Sequence, residues 1–68
     1  MARYQILYAK RGDPLTAWEK TPTEAIARVH QLEAAGYKVY IWEHTEAGAR
    51  ELTTAKLVEA ASIYSPKI

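Results

Sequence analysis

The chain has no cysteine, which excludes a disulfide framework and any thiolate metal site. It also lacks an excess of either charge. Nine Lys/Arg stand against eight Asp/Glu, a net of +1, and both signs are scattered along the chain. That balance removes the electrostatic case for tight duplex-DNA binding, which needs a clustered basic face; a weaker, local basic contact stays open. No apolar run approaches the ~20 residues that span a bilayer. Met1-Ala2-Arg3-Tyr4-Gln5 carries no signal-peptide core. The expectation is a soluble, cytoplasmic protein with no membrane partner. Catalytic ingredients are scarce too. There is no glycine-rich phosphate loop, and the serines, Ser62 and Ser65, fall near the end of the chain, outside any nucleophile-elbow context. Glu19, Glu46, Glu51 and Glu59 read as solvated charges. Neither an enzyme nor a cofactor is expected.

What is present is 68 residues at 49% hydrophobic, one small globular domain. A domain of this size buries only about 60% of the surface its unfolded chain exposes. Self-association is then the cheapest remaining source of burial.

Tyr4 to Ala9 alternates as a strand, with Tyr4, Ile6 and Tyr8 on one face. Lys10-Arg11-Gly12-Asp13-Pro14 is a turn, and Leu15 to Lys20 reads as a return strand in a hairpin. Thr21-Pro22-Thr23-Glu24 forms a capping box: Thr21 at the N-cap, Pro22 at the first helical position, Glu24 reaching back. Ala25, Ile26, Val29 and Leu32 then make one apolar stripe, and Gly36 is placed as a left-handed cap. Tyr37 to His44 reads as a strand, Thr45-Glu46-Ala47-Gly48 as a hairpin turn, and Ala49 to Leu52 as a short return. A second helix starts at Thr53, with Leu52 and Leu57 placed as a hydrophobic staple, and fades by Ser62. The order β-β-α-β-β-α predicts a small α+β domain over residues 1–64, an antiparallel or mixed sheet packed on helices. Residues 65–68 are expected to form a loose tail, since Pro66 disfavours helix at Ser65.

Lys38-Val39-Tyr40-Ile41-Trp42-Glu43-His44 is the most informative stretch. Val39 and Ile41 supply an ordinary core face. Tyr40 and Trp42 occupy the other, between Lys38 and His44, where a half-buried strand normally carries polar residues. Something should therefore cover that second face. The C-terminal helix, through Leu57, Val58 and Ala61, and a second protomer are the first coverings expected. Trp18 and Leu7 are candidates to join the same face.

Other motifs carry less. Arg11-Gly12-Asp13 spells a cell-attachment tripeptide, but a turn accounts for it: Gly12 supplies a permissive dihedral and Asp13 precedes Pro14. His30, three residues before Glu33, lacks the further ligands zinc requires. His44 and Glu43 are adjacent on a strand and point to opposite faces, so they form no dyad. No metal site is expected.

The sequence thus leads to a non-catalytic interaction module, of the kind found in small bacterial or phage accessory proteins. It would bind a protein partner or itself, as a homodimer, through Trp18, Lys38, Tyr40, Trp42 and His44, because Tyr and Trp are favoured interface anchors. The alternative is a single-stranded nucleic-acid binder, stacking bases on the same aromatics and holding phosphates with Arg3, Lys10, Arg11 and Lys38.

Overall fold

The computed structural model describes residues 2–64; the tail expected at 65–68 lies outside them. Six elements follow one another: β1 (Arg3–Ala9), β2 (Leu15–Glu19), α1 (Pro22–Ala34), β3 (Lys38–Thr45), β4 (Gly48–Leu52) and α2 (Thr54–Tyr64). They build the expected α+β domain, and element boundaries differ from the sequence reading by one or two residues. Tyr37 falls just outside β3 and packs edge-on to Tyr8 at 5.2 Å.

Helix α1 begins as its capping box dictates. The Glu24 amide donates to Thr21 Oγ1 at 3.1 Å. The Glu24 carboxylate reaches back to the Thr21 hydroxyl at 3.2 Å, where a capping box more often engages the main-chain N–H. The helix ends at Gly36, whose φ of +93° is the left-handed conformation that closes a helix without a Cβ clash. Helix α2 is capped more simply, by the Lys56 amide donating to Thr53 Oγ1 at 3.1 Å.

The four strands pair antiparallel throughout, in the order β2-β1-β3-β4. Strands β2 and β3 therefore run parallel to each other with β1 between them, joined by α1 as a crossover. Register puts Ile6 between Ala17 and Ile41, and Leu52 beside Ile41. Tyr4, Ile6 and Ile41 consequently share one sheet face, where they meet Ala25, Val29 and Leu32 of α1 and Leu57 of α2 in a single core.

Helix α2 does not cover the Tyr40/Trp42 face. Leu52 lies on the core face with Ile41, and α2 starts two residues later, so Leu57 drops into the core, 0% exposed. The helix then packs chiefly on α1. Both helices lie on one side of the sheet, and among the described residues no other element covers the opposite side, which is left bare.

Candidate functional site

Strand alternation and register assemble the bare face directly. Trp18, Gln5, Trp42 and Glu51 form one row across β2, β1, β3 and β4; Thr16, Leu7 and Tyr40 form the next. Arg3 pairs with His44 at one end of the strands, and Ala9 with Lys38 at the other. Tyr40 is 52% exposed and Trp18 47%, while Trp42 is half-buried among its neighbours. Of the two coverings expected from the sequence, the helix is thus excluded by geometry. The two tryptophans are not adjacent. Gln5 separates them, at two strand spacings or roughly 10 Å.

Side-chain contacts hold this face in place. The Trp18 ring packs against the His44 ring at 5.0 Å, and the Arg3 guanidinium sits 4.9 Å from the Trp18 centroid, within cation–π range. His44 Nε2 donates to Gln5 Oε1 at 2.8 Å. Trp18 is therefore pre-oriented although it stands on an edge strand. Gln5 was not singled out from the sequence; its signal is the alternation that places it with Arg3 and Leu7, opposite Ile6, but its role depends on a pairing the sequence does not display.

The cations proposed for nucleic acid divide between the two sides. Arg3 and Lys38 belong to the bare face. Lys10 Nζ sits 4.6 Å over the ring of Tyr37, which packs against the core on the helix side. Arg11 is exposed in the β1–β2 turn.

Behind the sheet, Glu43 is fully engaged. It accepts from Arg50 Nε at 2.8 Å and from the Tyr4 hydroxyl at 3.4 Å. An open cleft of about 300 Å³ adjoins this relay between β4 and α2, lined by Arg50, Lys56 and Glu59 among others. Of the glutamates lining it, Glu43 is paired with Arg50, and no cluster of three or more potential metal ligands occurs among the described residues. His30 is exposed on α1, apart from Glu43 and His44.

Burial, reinforced by the Glu43 charge and its hydrogen bond, pushes the Tyr4 phenol above its ordinary value of 10.0. The unfolded chain therefore ionises first. Tyr4 contributes its full stabilisation below pH 10.0 and loses it as pH rises through the higher folded value. Urea unfolding between pH 8 and 11.5 should show a steeper alkaline fall in the wild type than in Tyr4→Phe. Parallel curves would show that Tyr4 ionises equally in both states.

No family model matches this chain, and no curated protein or solved structure is significantly similar to it. Among the described residues, no helix is long and apolar enough to cross a membrane.

Proposed function

We propose that the chain is a non-catalytic interaction module that binds a protein partner or its own copy through the bare sheet face. The carrying observation is sidedness. Both helices sit on one face of the sheet, and Trp18, Tyr40 and Trp42 stand together on the other, with Lys38 and His44 beside them. Aromatic area of this kind is held at low entropic cost, because each ring has two side-chain torsions and Trp18 is already clamped by Arg3 and His44. The central rows carry no charge until Glu51 at the edge, which suits a protein surface better than a phosphate backbone. Its place of work would be the cytoplasm, in keeping with a chain free of cysteine.

Photo-crosslinking from the bare face tests this reading. A benzophenone amino acid replacing Tyr40 is expected to form polypeptide adducts in cells, and Trp18→Ala in the same chain should abolish them. The same probe at Val58, on the helix side and 46% exposed, should form none. Adducts to nucleic acid from position 40, with salt-sensitive binding, would replace the reading by the single-stranded nucleic-acid one. Adducts only from position 58 would move the site to the helix side of the sheet.

A further inference from the structure

Bulk alternates along the central row of the bare face: Trp18 on β2, Gln5 on β1, Trp42 on β3 and Glu51 on β4. The flanking rows do not repeat this pattern; Thr16, Leu7 and Tyr40 form one, and Arg3, His44 and Ala49 the other. The central row has a defined complement. A two-fold axis parallel to the strands, midway between β1 and β3, carries β1 onto β3 and β2 onto β4. Each tryptophan of one copy then meets Gln5 or Glu51 of the other.

We propose that the partner of this face is a second copy of the chain, docked sheet against sheet about that axis. The proposal rests on the interaction reading above and names its partner. Leu7 lies over the second copy's Tyr40, Gln5 over its Trp42, and Trp18 over its Glu51. Aligned sheet packing holds strand directions within about 30°, so this register is kept near the centre and relaxes at the corners. A two-fold perpendicular to the strands and passing along the central row would set Trp18 on Trp18 and Trp42 on Trp42, ring against ring.

Charge agrees with shape. Among the described residues, exposed Glu51 makes no ion pair, and neither does Lys38. In the proposed arrangement Glu51 arrives over the partner's Trp18, the ring that Arg3 already caps. Lys38 lies over Ala9, and no like charges meet. Isologous contact duplicates every such pair.

Size sets the strength. Four strands about 4.8 Å apart and some six residues long give roughly 400 Å² of flat face per copy. Two copies bury on the order of 800–1,000 Å², below a standard interface. The dimer is therefore weak and concentration-dependent, with a Kd on the order of tens of micromolar.

Sedimentation equilibrium of the full chain tests this. The mass should rise from 7.7 kDa towards its double between roughly 5 μM and 1 mM, bracketing that Kd. Arg3→Glu and Glu51→Arg should each weaken the dimer about tenfold, and the double swap should bring back most of the loss. Both residues are exposed, so thermal unfolding of each variant should stay near wild type. A monomer throughout the range overturns the proposal, as does a dimer indifferent to both single swaps. Monomer mass together with crosslinks from position 40 to another polypeptide would overturn self-pairing alone. The absence of any crosslink from that face would take down the interaction reading as well.

Discussion

Replacing Leu57 with alanine is expected to loosen the C-terminal helix and lower the unfolding free energy by about 2–5 kcal/mol. Leu57 is 0% exposed and, among the described side chains, is the α2 residue that enters the core, whereas its neighbour Val58 is 46% exposed. Val58→Ala should therefore stay within about 0.5 kcal/mol of wild type. A domain of this length has roughly 3–10 kcal/mol in total, so the Leu57 change removes a large share. Because α2 packs chiefly on α1, hydrogen exchange should show α2 amides losing protection before the sheet does. Equal costs at Leu57 and Val58 would contradict the seating of α2.

The second large effect is expected at Ile6. This side chain is 0% exposed, between Ala17 and Ile41 on the strands to either side. Its truncation to alanine leaves a cavity at the centre of the core, again at about 2–5 kcal/mol. The response should differ in kind from that of Leu57. β1 pairs along both of its edges, so all four strands and α1 should lose exchange protection together. Leu7→Ala is the companion measurement, one residue along and on the bare face, where Leu7 is half-buried. Urea midpoints should fall much further for Ile6 than for Leu7. The reverse order would mean that the two sheet faces have been exchanged.

What the sequence displayed was what is decided locally. The Thr21–Glu24 box closes within four residues, and the left-handed turn at Gly36 is written in one. Alternation through β3 separated Val39 and Ile41 from Tyr40 and Trp42 without knowledge of any other strand. What it did not display depends on distant pairing. That Trp18 would stand two strands away from Trp42 follows from β1 lying between β2 and β3, an order no local pattern encodes. The side on which α2 lands was equally hidden. Leu57, Val58 and Ala61 offer apolar surface for either face, and the choice is made by Leu52, which register aligns with Ile41. The relay from Tyr4 through Glu43 to Arg50 spans 46 positions of sequence between Tyr4 and Arg50 and became visible only once β1, β3 and β4 were aligned.

The strand order also bears on how the chain is made. During synthesis β1 and β2 emerge first and can close as a hairpin, but the other edge of β1 belongs to β3. Until the ribosome has released residues through Thr45, that edge offers unpaired N–H and C=O groups beside Ile6 and Tyr8, with only a nascent α1 to shield them. A polypeptide cut short between Glu19 and Lys38 keeps this edge open to pairing with another chain. Premature termination in that interval thus leaves the central strand of the sheet as an edge.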